Sequence, residues 1–404
     1  MVWQPVGVIS GAVDGSVNVA MISAQASPLV STGGDGGELS SHVADLSAAL
    51  VRRGHRVTVY TRRDDPELPE CVETPQGYNV IHVPAGPPAH LTDDALLPVM
   101  GPFAQYLSAR WASGGPDIAH AHFWTSGIAT ELAARQLGLS TVLTFHGLGT
   151  DQVRRRLEFK LARTATEVSA SCTAEAFELI RMGRPRRCTS VIPSGVDVDV
   201  FTPDGPRAPR GEAPRIVSLG KLLPCNGFDT VIRAMPFIPD AEFLVVGESD
   251  TAESEAEVSR LRDLARQLGV ADRLRVHGPA HGTAIPALLR SADVVAATPA
   301  SDSSGVAALK AMACGVPVLA SAAGALVDIV VDDVTGYLVE HHQPRQLASM
   351  VNSLLRDSFL RSSLGGAGRD RAVARYGWDR IAVDHARLYR ASASAAGRPT
   401  TATG

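Results

Sequence analysis

The residues best placed by type and spacing to do chemistry fall in two short stretches. One is the loop Lys221-Leu-Leu-Pro-Cys-Asn-Gly-Phe-Asp229, which carries Lys221 and, five positions on, Asn226. The other holds Asp302, Ser303, Ser304, Gly305 and Lys310 within Thr298–Ser321. Each follows an apolar run that reads as a buried parallel strand, Arg215–Leu219 and Ala292–Ala297. After the second loop, Val306, Leu309, Met312 and Ala313 take helical spacing, and Gly315 with Pro317 stops the helix. Open α/β sheets bind ligands at the carboxyl ends of such strands, and a helix start favours anions. An ammonium group beside that edge suits a phosphate-bearing ligand.

A comparable unit opens the chain. Val17–Ile22 reads as a strand, and the loop Ser31–Gly37 after it carries four glycines, Gly36 and Gly37 among them. Leu39, Val43, Leu46 and Leu50 then mark one face of a helix, Gly54 ends it, and His55–Tyr60 is the next strand. Such a turn either brings backbone amides to a phosphate or merely reverses the chain. The pattern is not a strict GxGxxG, and spacing leaves both open. His146 stands at the end of the strand candidate Thr141–Phe145. His120 and His122 alternate on one strand and share a face. They look like a metal pair, but no third ligand has suitable spacing, so packing is expected and no metal site is assigned. Arg154-Arg-Arg156, Lys160 and Arg163 form a basic, helix-compatible run whose default is a solvated face.

Stepwise alternation of strand and helix patterns continues along the chain. Tyr78–Val83, Asp117–His122, Glu167–Ser171 and Thr189–Ile192 extend the first series; Ala241–Val246, Leu274–His277, Val316–Ala320 and Gly336–Val339 extend the second. This predicts an α/β protein with two doubly wound, Rossmann-like domains facing across a cleft. The expected limits are 17–200 for the first domain, 201–214 for a Pro- and Gly-rich linker and 215–377 for the second domain. Trp378, Ile381, Ala382, His385, Leu388 and Tyr389 make a helical stripe, expected as a separate helix over 378–392. Residues 1–16 and 393–404 are expected as flexible tails.

Composition narrows the classes. At 404 residues, 45% hydrophobic and 20% charged, the chain is sized for two ordinary globular domains. A net charge of −4 gives no reason to expect nucleic acid. Five cysteines without paired spacing suggest neither disulfides nor a metal cluster. With no bilayer-length apolar run and no signal-peptide pattern, a cytoplasmic location is expected.

The Thr298–Ser321 stretch resembles the donor-binding signature of family-4 glycosyltransferases, which have the GT-B fold. The frame Gly305, Ala311-Met312-Ala313-Cys314-Gly315 and Pro317 fits it. So do Ala26-Ser-Pro28, Arg52-Arg-Gly54, His120-Ala-His122, Thr144-Phe-His-Gly147 and Ile192–Asp197, most similar to enzymes that move N-acetylglucosamine onto inositol phosphate. The resemblance implies a retaining transferase that takes a sugar from a nucleotide-sugar donor to a hydroxyl acceptor, small or lipid-linked. It implies no metal and no further cofactor, and a C-terminal helix crossing back to the first domain. It places Lys221, helped by Asn226, on the diphosphate and Asp302 toward the donor sugar, with the backbone amides of Ser303, Ser304 and Gly305 nearby. Gly36 and Gly37 would let the first domain approach, and His146 would line the reaction centre. Where the family has Arg, Lys, Glu and Glu, this chain has Lys221, Asn226, Asp302 and Lys310, so a neutral set becomes +1. Lys310 belongs to the donor site by position, but it cannot accept from ribose hydroxyls as a carboxylate does. The alternative implied is a catalytically degenerate GT-B protein that binds or regulates. Whether the chain forms a homodimer is left open.

Overall fold

The computed structural model describes residues 15–29, 37–247, 251–280 and 282–396. Gly36, most of the glycine-rich loop, residues 1–14 and residues 397–404 lie outside the described residues. The expectations for these positions therefore have no structural counterpart here.

Two sheets organise the described residues. The first contains β1 (Asn18–Ile22), β2 (Arg56–Arg62), β3 (Cys71–Glu73), β4 (Asn79–Val83), β5 (Ile118–His122), β6 (Thr141–Thr144), β7 (Glu167–Ala170) and β8 (Thr189–Val191). Their order is β3-β4-β2-β1-β5-β6-β7-β8, and only β3 runs antiparallel. The second contains β9 (Arg215–Leu219), β10 (Glu242–Val246), β11 (Leu274–His277), β12 (Val294–Ala297), β13 (Val318–Ser321) and β14 (Gly336–Val339), in the order β11-β10-β9-β12-β13-β14 and wholly parallel. The central strands are buried along their length, β5 and β12 completely, because helices cover both sheet faces. In each sheet the strand order reverses beside the first strand of its series, between β1 and β5 and between β9 and β12. Those reversals open the crevices where such folds take ligands.

The two lobes touch through specific contacts. The Thr173 amide donates to Asp328 Oδ2 at 2.7 Å, and Ser303 Oγ donates to the His146 carbonyl at 3.4 Å. The chain crosses between lobes where Val196 pairs with Gly377 and its amide donates to the Tyr376 carbonyl at 2.8 Å. Residues 201–214 lie against the second lobe: Phe201 joins its core, and Arg290 donates to the carbonyls of Thr202, Asp204 and Pro206.

The helix Trp378–Ala396 does cross back onto the first lobe, where Ile381, Ala382, Ala386 and Tyr389 join the core beneath β1 and β2. Its expected end at residue 392 is too early. The Ser and Ala residues after Arg390 keep helical conformation, since Ala has the best helix propensity, and Ser140 Oγ anchors them by donating to the Ser392 carbonyl at 3.0 Å. The exposed ion pair between Arg52 of the helix Gly37–Arg52 and Asp379 of this one adds little beside that apolar burial.

Candidate active site between the lobes

The loop after β9 and the loop after β12 meet at the reversal point of the second sheet. Asn226 Nδ2 donates to the Lys221 carbonyl at 2.6 Å, so this amide closes the loop that presents Lys221. Lys221 itself is exposed. The next residue, Gly227, has φ 69°, and a Cβ there would stand 1.9 Å from the Thr298 carbonyl oxygen. Thr298 Oγ1 in turn donates to the Gly227 carbonyl at 2.9 Å. Only glycine fits where the two loops lock together.

Asp302 opens the second loop and closes it on itself just before the helix Val306–Ala313, whose N-cap is Gly305. Its Oδ1 accepts from the amides of Ser304 at 2.9 Å and Gly305 at 2.7 Å, and from Ser304 Oγ at 3.2 Å. The Asp302 carbonyl accepts from the Ala325 amide at 2.7 Å. The carboxylate thus already holds two of the three backbone amides expected beside a donor, while the Ser303 hydroxyl reaches the first lobe. Lys310, about one turn into that helix, places its ammonium 5.5 Å from the centre of the Phe201 ring. Burial lowers its pKa, and the Glu38 and Asp45 carboxylates of the facing lobe oppose that drop.

Across the gap, His146 has φ 57°, a left-handed conformation that is strained for a non-glycine residue, and it sits at the lobe contact. Its Nε2 lies 2.9 Å from His122 Nδ1, and burial pushes its pKa down to about 3. Gly147 follows with φ 101°, and a Cβ there would come within 3.2 Å of Ser303 Oγ. Behind this turn are two carboxylates that sequence patterns did not single out. Glu175 accepts from the amides of Gly147 and Ser171, and Glu158 from the Gly149 amide and from Arg154 Nε. Arg154 leaves the solvated face expected of the basic run: it donates to the Gly147 carbonyl at 2.8 Å and lies over the Phe123 ring. Arg155, Arg156, Lys160 and Arg163 stay exposed.

Gly37 begins the helix Gly37–Arg52, with open space where its Cβ would be. Glu38, His42 and Asp45 follow on one face of that helix and point to the same cleft, a polar i, i+4, i+7 spacing that was readable beside the apolar stripe. Desolvation in the cleft raises the Glu38 carboxyl, as does the Asp302 charge, while a hydrogen bond with Ser304 and the charges of Lys310 and Lys221 on the opposite lobe pull it back. Burial and the Asp197 carboxylate push Asp45 up to about 6.

The His120–His122 pair divides. His120 is satisfied in the core, 2.7 Å from the Tyr389 hydroxyl and 2.8 Å from Thr144 Oγ1. His122 keeps its ring 4.1 Å from that of His120, centroid to centroid, and also reaches His146 and His42 on other elements.

The chain matches two family models, Glycosyltransferase Family 4 over residues 39–200 and Glycosyl transferases group 1 over residues 205–371. It is 35% identical to a D-inositol 3-phosphate glycosyltransferase of Xylanimonas cellulosilytica, over 90% of this chain and 94% of that one. A D-inositol 3-phosphate glycosyltransferase of Nocardiopsis dassonvillei is 32% identical, over 95% of this chain and 96% of its own length. Among solved structures, the sucrose-phosphate synthase of Thermosynechococcus elongatus superposes with a TM-score of 0.85 at 27% identity, over 93% of this chain and 99% of that one. HepE of Anabaena in complex with UDP, at 19% identity and a TM-score of 0.72, shares the fold over 93% of this chain and 100% of that one.

Proposed function

The chain belongs to the family-4 glycosyltransferases of GT-B fold, and from that premise we propose that it moves a sugar from a nucleotide-sugar donor to a hydroxyl acceptor with retention of anomeric configuration. The observation that carries this reading is the meeting of the two switch-point loops with the His146–Gly147 turn of the opposite lobe, joined at Ser303 and His146.

In this reading Lys221 meets the donor diphosphate as a point charge and neutralises it as it leaves. Asn226 holds the Lys221 loop shut and has a second amide hydrogen to offer. Asp302 fixes the loop that faces the sugar, with Ser303, Ser304 and Gly305 closing around it. His146 and Gly147 form the wall on the acceptor side, and Gly37 starts the first helix facing the phosphates. Lys310 adds a second ammonium on the donor side. Catalysis then rests on holding the acceptor hydroxyl and the sugar in line on one face and on charge stabilisation, with no protein nucleophile required. The chain's likeness to D-inositol 3-phosphate glycosyltransferases supports a phosphorylated polyol as acceptor.

Differential scanning of the chain against UDP, ADP, GDP and their sugars tests this. One nucleotide family is expected to raise Tm, and Lys221→Ala is expected to weaken that ligand at least tenfold. Silence across the panel would leave a binding module without transfer.

A further inference from the structure

The helix Gly37–Arg52, the end of β5 and the turn after β6 bring His42, His122 and His146 together under the cleft wall. Each offers a ring nitrogen, and these atoms lie within 4.8 Å of one another. His122 Nδ1 and His146 Nε2 are 2.9 Å apart, and the His42 ring stands edge-on to His146 with centroids 4.7 Å apart. His42 and His122 are buried, at 8% and 0% exposure. His42 Nε2 is buried and has no hydrogen-bond partner, whereas its Nδ1 has Ser194 Oγ at 3.4 Å. A buried ring nitrogen without a partner costs free energy, so its presence beside two other imidazoles calls for a ligand.

We propose that His42, His122 and His146 form a binding site for a single late first-row divalent cation of the zinc or cobalt kind. Three nitrogens around such an ion at about 2.0–2.1 Å stand roughly 3.3 Å from each other in a tetrahedral shell. The His122–His146 pair therefore opens by a few tenths of an ångström, and His42 closes the gap from a ligand atom already within 4.8 Å of the other two. An all-imidazole set selects zinc, cobalt, nickel or copper over magnesium, calcium or manganese, which prefer oxygen. Outer contacts are in place: Ser194 Oγ behind His42, and the Met21 thioether 3.3 Å behind His122 Nε2. His146 is the partly exposed member, so the fourth position opens toward the cleft, as in sites that keep a water or substrate oxygen. The site does not depend on the transfer reading, because binding is measured without donor or acceptor.

The test is a titration of the full, chelator-treated chain with Zn2+ by calorimetry and with Co2+ by visible absorption. One ion per chain is expected, with a Co2+ spectrum of nitrogen and oxygen ligation. His42→Gln and His122→Gln are each expected to weaken binding at least tenfold, while the double variant His341→Gln/His342→Gln, which removes the adjacent surface pair, leaves it unchanged. Absence of binding, undiminished affinity in His42→Gln, a thiolate charge-transfer band, or loss in the surface variant would each overturn the proposal. Should His42→Gln or His122→Gln not fold, paramagnetic broadening by Co2+ in the unaltered chain decides: imidazole signals of the three rings must broaden first.

Discussion

Asp45 shows how the cleft sets the pH response residue by residue. Burial and Asp197 raise its pKa from 3.8 to about 6, so the folded chain binds a proton that the unfolded chain releases between those values. Its contribution to stability therefore falls as pH rises from about 4 to 6, by no more than about 3 kcal/mol. Asp45→Asn is expected to raise Tm at pH 7.5 and to lose that advantage near pH 4, read by calorimetry over the range. The histidines act in the opposite sense. Burial holds His42, His120 and His122 well below the ordinary value, His146 at about 3 and His385 at about 4. The unfolded chain takes up these protons first, so stability is full above about pH 7 and is lost as pH falls through 6.5. Glu38, Asp45, Glu131, Glu167 and Glu175 are raised by desolvation and oppose this. The unfolded imidazoles, however, all take up their protons between pH 7 and 5, so Tm is expected to drop across that range; a flat profile would contradict the burial of these rings. Lys221, Asp302 and His146 stood out in the sequence because each lies in a loop just after a strand, and Lys310 because it falls in the helix that follows such a loop. Glu38, Asp45 and His42 were missed as site residues because their partners lie far away in sequence, across the gap.

At the scale of elements, the two loops of the second sheet are one mechanical unit. Gly227 has its left-handed φ and a Cβ position 1.9 Å from the Thr298 carbonyl, so any side chain there forces the loops apart. Gly227→Ala is expected to destabilise by about 2–4 kcal/mol, the sum of backbone strain and overpacking. It should also shrink the nucleotide-induced Tm shift, since Lys221 rides on that loop; an unaltered shift would separate the loop from the ligand. The strands themselves were readable, because parallel strands buried on both faces give continuous apolar runs such as Val294–Ala297. The antiparallel edge strand β3 was not, since Cys71-Val-Glu73 is short and solvent-facing and carries no periodic signal. The crossing helix was marked by its stripe, yet its last turn was not: Ala and Ser bury little, and what holds Ser392 is a hydrogen bond from Ser140 that no local pattern predicts.

At the scale of the molecule, everything above depends on how the lobes are held. The chain leaves the first lobe near Val196 and returns at Gly377, and the two passages pair. Arg369 fixes this crossing. Its guanidinium donates to the carbonyls of Val198 at 2.9 Å, Phe201 at 2.7 Å and Ala313 at 2.8 Å. It thereby ties the crossing strand to the end of the helix that carries Lys310, and Phe201, over which Lys310 lies, is one of the residues it holds. Lobe orientation and donor-side charge are in this way one structural variable. Arg369→Ala leaves three carbonyls without their charged donor and is expected to cost about 2–4 kcal/mol in urea unfolding. Arg369→Lys should not restore it, because a single ammonium cannot span the fork that reaches all three. Both variants should also weaken nucleotide binding although neither residue touches the loops around Lys221 or Asp302. Full affinity with reduced stability would show that the crossing supports the fold without setting the cleft.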